Sequence, residues 1–405
     1  MAAKRLRLLL VGGLMYDTLY GGLDEFERRT GWGIEVAARL PHPALNARIA
    51  EEFGAGTARY DLISTHTKYA ASQRQWLTPL DDDLGVDELA AFYARVLQLA
   101  RIDGLLFGLP RNLDAKLLYY RTDLLEDPAE QSVFETRTGH ALRVPETWEE
   151  FRQVALHFAR GPHLYGFAFP GRESGLFGHF FELQAMAGGH LFTELLEPAF
   201  DDPSGRWALG LLAQLYHEGA APPETPEWHY DEVAACFRSG RAAMTTDWPG
   251  SFYTYTDPAL SAVAGKFDIA LYPAGPAGRH VYAGSHTFAI PTSVHDRPAA
   301  LALLRFLTSE ESQLVEARLG SLPTRPAVLA QVRAESPPGS IQARRWSLLE
   351  ETTAAALFPP VHPRYPLMEN ALWRAVQRAI VGTITVEEAL AEAAAGVREI
   401  VSGTA

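Results

Sequence analysis

"GLPRNLDAKLLYYRTDLLE" (108–126) sits at the meeting of two similar runs of strands and helices, and the chain reads outward from it in both directions. On its N-terminal side "RLRLLLVGG" (5–13) predicts a strand and "GGLDEFERRTG" (21–31) a helix that turns Leu23 and Phe26 inward and stops at Gly31. "GIEVAARL" (33–40), "PALNARIAEEFGAG" (43–56) and "YDLISTH" (60–66) continue as strand, helix and strand. On its C-terminal side "LYGFAFPG" (164–171) is a strand, "GHFFELQAMAGG" (178–189) and "RWALGLLAQLYHEG" (206–219) are helices, and "EVAACFRSGRAAMTTDWPG" (232–250) is a helix, a glycine stop and a strand. "KFDIALYPAGP" (266–276) and "HTFAIPT" (286–292) are strands, and "RPAALALLRFLTSEESQLVEARLG" (297–320) is a long amphipathic helical region. The chain closes on the helices "MENALWRAVQRAIVG" (368–382) and "TVEEALAEAAAGVREIVSG" (385–403), the second started by Thr385 with Glu387 and Glu388. This alternation predicts an α/β fold of parallel sheets with helices on both faces, ligands gathering at the carboxyl ends of the strands. With 405 residues and no Pro/Ser linker between the two runs, it predicts two lobes joined by crossing strands, with a cleft.

Composition excludes several functions. A net charge of -13 and only short basic runs such as "KRLR" exclude nucleic acid, whose phosphates require clustered Lys and Arg. No segment has the roughly eighteen uninterrupted apolar residues that span a bilayer. The N-terminal "LRLLLVGG" is brief and lacks a small-residue cleavage site, so it reads as the first buried strand and not as an export signal. The single cysteine, Cys236, has the apolar spacing of a buried helix and reads as a core thiol.

Catalytic and cofactor motifs are few. No GxGxxG opening a helix, GxxxxGK[ST], GxSxG or HExxH occurs, so no cofactor is expected. The aspartates of "LDDDLG" (80–85) read as a solvated helix start, and the 13 histidines stand singly in "STHTKY", "EWHYDE", "GSHTF" and "PVHPRY", so no metal is expected. Carboxylates at Asp17, Asp114, Glu173 and Asp247 keep open a glycan-active α/β enzyme, which needs an acid and base at a fixed separation. The aromatic stretch "TTDWPGSFYTYT" (245–256) follows a strand at its carboxyl end, where flat rings suit the C–H face of a sugar and carboxylates its hydroxyls.

At 108–126 the pattern becomes specific. It resembles the extracellular solute-binding proteins of carbohydrate ABC transporters, the maltose-binding-protein-like family, in which a GLP strand runs into an LYYN-K-D-L segment. "VPETWEEF" (144–151), "FRSGRAAMTTDWPG" (237–250), "YAGSHTFAIPTSVHDRPAALALLRFLTSEESQ" (282–313), "GSLPTRPAV" (320–328) and "GTITVEEALAEAAAGVREIV" (382–401) match that family's segments in order. The resemblance implies a two-lobe periplasmic-binding-protein fold with three interlobe crossings, near 111–115, 284–288 and 325–328, and a ligand cleft between the lobes. Residues 1–112 with 288–325 would form lobe one, and 113–287 with 326–405 lobe two.

The resemblance further implies a monomer that closes on a sugar or oligosaccharide and delivers it, unchanged, to an ABC permease at the periplasmic or extracellular face. The membrane would be met only through the permease or a removed lipid anchor. Asp114, Trp248 and Trp373 stand at the family's carboxylate, stacking and C-terminal-helix aromatic positions. Ser285 and His286 follow Gly284 at the second crossing, where relatives carry a GGW-like segment, so His286 replaces an aromatic. Tyr16, Asp17, Thr65, His66 and Lys68 follow the first and third strands as lobe-one polar contacts, and Arg325 bonds the ligand or braces the hinge. Lys68, Arg111 and Arg325 leave an anionic ligand such as a glycerol phosphate or uronate open.

Overall fold

A strand buried on both faces organises the first half of the chain. The computed structural model describes residues 4–13 and 16–403. Along the strand Arg5–Val11, Leu6, Leu8 and Leu10 enter one hydrophobic core, with Phe26, Phe288 and Leu304. Leu9 and Val11 enter another, with Ile49, Tyr60 and Ile63. The period of two thus feeds apolar side chains to helices on both sides of the sheet.

Two compact units divide the chain. The first comprises 1–114, 284–343 and 358–365, and the second 115–283, 344–357 and 366–405. The two long strands Leu109–Ala115 and Val281–Ala289 each contain a boundary. Residues 326–343, expected in lobe two, fall in the first unit, where the helix Pro326–Glu335 packs beside Glu310–Arg318. The long helical region expected at 297–320 is two helices, Arg297–Leu307 and Glu310–Arg318, because Ser309 caps the second by accepting from the Ser312 amide.

The sheet of the first unit runs in the order Leu322–Pro323, Leu109–Ala115, Val281–Ala289, Leu62–His66, Arg5–Val11, Gly33–Leu40. Its three N-terminal strands are parallel, as expected, but Val281–Ala289 lies antiparallel to Leu62–His66, pairing His286 with His66 and Thr287 with Thr65. The sheets are therefore mixed and not wholly parallel. A parallel neighbour requires a crossover over the same sheet, and the strand at 281–289 arrives instead from the second unit.

The second unit holds a four-stranded sheet, Phe267–Ala270, Leu117–Arg121, Ala242–Asp247, Tyr165–Ala168, also mixed. Its helices begin as their sequences dictate. Thr147 and Glu150 form a capping box before Trp148–His157, and Thr385 and Glu388 form another before Val386–Ser402. Cys236 is buried in the helix Tyr230–Arg238, and burial pushes its thiol up to about 12. No helix among the described residues is long and apolar enough to cross a membrane.

Candidate functional site

A polar cluster gathers beside the carboxyl end of the strand Leu62–His66. Tyr16 follows the first strand, His42 opens the helix after the second, and His66 ends the third. Asp114 and His286 come from the two long strands. His66, Asp114 and His286 are 7%, 8% and 2% exposed, so these are interior polar groups held by one another.

His286 is the centre. Its Nε2 lies 3.0 Å from the Tyr16 hydroxyl and 3.2 Å from Asp114 Oδ2, and its Nδ1 lies 3.1 Å from His42 Nε2. The His66 ring meets it edge-on at 5.1 Å between centroids, and the Tyr16 and His42 rings at 4.6 Å each. Asn112 donates to Asp114 Oδ1 at 2.8 Å. His66 caps the helix Thr67–Gln73 by accepting from the Lys68 amide at 3.2 Å. Room for the His66 ring exists because residue 284 is glycine: a Cβ there would sit 2.4 Å from the ring.

Burial sets the charge states. It drives His66 and His286 well below the usual histidine value. The neighbours His286, His42 and Lys68 act in the same direction at His66, and Arg111 and Lys68 at His286. Both rings are neutral at pH 7, so the 3.2 Å approach of His286 Nε2 to Asp114 Oδ2 is a polar contact and not an ion pair. Burial raises Asp114 to about 7, against the opposing Arg111 charge and the Asn112 hydrogen bond. The cluster thus presents donors and acceptors with little fixed charge.

The remaining expected residues fall into distinct places. Ser285 is wholly buried and its hydroxyl donates to the Asn112 carbonyl at 2.7 Å. Thr65 spends its hydroxyl on Gln73 at 2.5 Å, which Asn46 accepts from in turn. The Lys68 ammonium lies 4.6 Å over the Tyr69 ring. Asp17 is exposed at the start of a short 3-10 helix. Arg325 braces its own unit: Nε donates to the Thr308 carbonyl and the guanidinium lies 4.0 Å over the Phe92 ring. Arg111 is consumed by Glu316 at 2.6 Å, by the Tyr20 hydroxyl and by the Tyr16 carbonyl. Two of the three cations considered for an anionic ligand are therefore committed within the fold.

In the second unit the aromatic stretch at 245–256 is a strand end followed by the short helix Ser251–Thr256, and much of it is core. Phe252 and Tyr255 are buried, and the Tyr255 hydroxyl donates to Asp247, which also accepts from the Trp248 amide at 2.7 Å. Asp247 is thereby a structural acceptor, raised to about 6 by burial and held down by those bonds. Trp248 packs against Tyr230 and Tyr282 with the Lys116 ammonium 5.4 Å over its ring. Trp373 is partly buried on the helix Tyr365–Ile380, bonded to Asn370 and overlaid by Arg374.

Beneath Trp248 lies a group the sequence did not suggest. Lys116 and Glu182, each wholly buried, pair at 2.8 Å, Glu182 also takes the Tyr272 hydroxyl and the Tyr282 amide, and His179 Nδ1 lies 3.1 Å from it. Burial alone would raise the Glu182 carboxyl, but Lys116 and His179 hold it below the usual range. His42 was also missed, although its place just past the carboxyl end of "GIEVAARL" is the signal that marked Tyr16 and His66.

Known proteins resemble the chain over most of its length. Residues 12–314 match the family model for bacterial extracellular solute-binding proteins. A probable ABC transporter-binding protein of Deinococcus radiodurans is 25% identical, over 74% of this chain and 71% of its own. A mannitol-binding protein of Pseudomonas aeruginosa is 26% identical, over 73% and 67%. Among solved structures, maltose-bound MalE3 of T. maritima superposes with a TM-score of 0.87 at 25% identity, covering 98% of this chain and 99% of that one.

Proposed function

Because the chain belongs to the family of bacterial extracellular solute-binding proteins, we propose that it captures a sugar or polyol outside the cytoplasm. It then delivers the ligand, chemically unchanged, to an ABC permease. The observation that carries the ligand class is the cluster of Tyr16, His42, His66, Asp114 and His286. A hydroxyl is both donor and acceptor, and a site for several hydroxyls needs both kinds of group in reach without a dominating charge. Neutral imidazoles, a phenol and a carboxyl near its titration point meet that requirement. Similarity to a mannitol-binding protein and to a maltose-bound structure points the same way.

In this reading Asp114, His286, His66 and Tyr16 bond hydroxyls, while the Ser285 hydroxyl holds the Asn112 carbonyl in the strand that presents Asp114. Titration calorimetry of the full chain against linear polyols, monosaccharides and maltose-type disaccharides tests the reading. Saturable 1:1 binding, with the recovered ligand unaltered, is the expected result. Silence across the panel, or turnover of any member, defeats it.

A further inference from the structure

We propose that His66, Asp114 and His286 form a binding site for a divalent transition-metal ion of the zinc type. Each side chain offers one ligand atom, and the three lie within 4.8 Å of one another. Bonds of about 2.0–2.1 Å in a tetrahedral shell place ligand atoms about 3.3 Å apart. The His286 Nε2 to Asp114 Oδ2 distance of 3.2 Å already has that value, so loading needs only a modest inward movement of His66.

The outer partners support the assignment. Metal-binding imidazoles and carboxylates are characteristically held by a second hydrogen bond on the atom that does not ligate. Here His286 is held at Nδ1 by His42 Nε2 and Asp114 at Oδ1 by Asn112, whereas His66 Nδ1 accepts from the Lys68 amide and gives that bond up on ligation. His286 Nε2, Asp114 Oδ2 and His66 Nε2 are left as the ligating set. The absent Cβ at Gly284 makes room for the Nε2 edge of the His66 ring. Two nitrogens and one oxygen, with no thiolate, suit Zn(II), Co(II) or Ni(II), whereas Mg(II) and Ca(II) prefer oxygen donors.

Loading keeps the imidazole protons on the rings and releases any proton that Asp114 carries. The His66 proton moves from Nε2 to Nδ1, which releases the Lys68 amide. The His286 proton moves to Nδ1 and is donated to His42, whose own proton shifts to its Nδ1. The Tyr16 hydroxyl, 3.0 Å from His286 Nε2, turns aside. One coordination position stays open for water or a ligand hydroxyl. The metal site shares residues with the proposed sugar site but does not depend on it.

The test is equilibrium dialysis of the chelator-treated full chain against Zn(II), with metal counted by mass spectrometry and Co(II) absorption reporting the ligand set. One Zn(II) per chain is expected, with affinity falling at least about tenfold in His66→Ala, His286→Ala and Asp114→Asn, and His280→Ala unchanged. Thermal melts confirm that the variants fold, and the isosteric Asp114→Asn keeps the test decisive if a histidine variant does not. Absence of stoichiometric uptake, or equal uptake by all three variants, overturns the proposal. Calorimetry on the chelated protein reads polyol binding separately. Zinc uptake without any polyol binding would sustain the metal site and defeat the sugar reading, and polyol binding without zinc would do the reverse.

Discussion

Two buried polar clusters, one in each unit, are held in opposite ways. In the second, Lys116 and Glu182 meet as an ion pair at 0% exposure, and the carboxylate takes further bonds from the Tyr272 hydroxyl and the Tyr282 amide. In the first, the cluster around His286 contains rings kept neutral and a carboxyl near its titration point, at the ends of strands. A saturated ion pair has no capacity left for a ligand and acts as a brace under Trp248. A cluster whose members are linked by single exchangeable hydrogen bonds can trade them for a ligand's. Burial alone therefore does not mark function, and the degree of mutual satisfaction does.

That contrast breaks most visibly at the brace. Glu182→Ala leaves the Lys116 ammonium buried without its counter-charge and is expected to destabilise the protein by about 3–5 kcal/mol, read by urea denaturation. Lys116→Met with Glu182→Leu should lose distinctly less than the single change, since no charge remains stranded. Equal losses would mean that the pair is not the unit of stability.

At the cluster the expected effect is on affinity. Asp114→Asn keeps the shape but loses an anionic acceptor, and hydrogen bonds to charged groups are worth about 1.5–3 kcal/mol. Ligand affinity should therefore fall by roughly ten- to a hundredfold, with the urea midpoint little changed. A large stability loss with affinity intact would place Asp114 on the side of the brace.

A smaller effect concerns pH. Asp247, facing Tyr255, Ser251, the Trp248 amide and Lys116, has its folded value raised to about 6, against about 3.9 in an unfolded chain. The unfolded state gives up the proton first. The stability contributed by protonated Asp247 is thus complete below about 3.9 and is lost as pH rises through about 6. The stability of the wild type relative to Asp247→Asn should decline across that window, and a difference that is flat or rises with pH contradicts the assignment. Smallest of all, Asp17→Ala at an exposed position should move stability by no more than about 0.5 kcal/mol and leave affinity unchanged. A tenfold weaker ligand would bring Asp17 into the site.

The fold was legible because its signals are local. The strand "RLRLLLV", the glycine stop at Gly31 and the capping boxes at Thr147 and Thr385 are each written within a few residues. The site was legible in part, for the same reason: Tyr16 and His66 follow strands, and Asp114 and His286 lie in recognisable segments. What could not be read was company. His42, His66 and His286 looked like isolated histidines, since only the sheet order places the strand at 281–289 beside the strand at 62–66. Arg111 and Arg325 looked available for a ligand because nothing in their neighbourhoods announces Glu316 or Phe92. The aromatic stretch at 245–256 looked suited to a sugar because it follows a strand's carboxyl end, but the six-residue helix there turns Phe252 and Tyr255 into the core.

Gly284 carries a consequence for the evolution of such sites. Its missing Cβ and the His66 ring occupy the same volume, so the two positions behave as one specification. Any homologue that acquires a side chain at the equivalent of 284 must shrink or move the residue at 66, and with it the partner of His286. Substitutions at these two positions should therefore appear together across relatives, and a change in ligand preference along the lineage should coincide with that paired exchange.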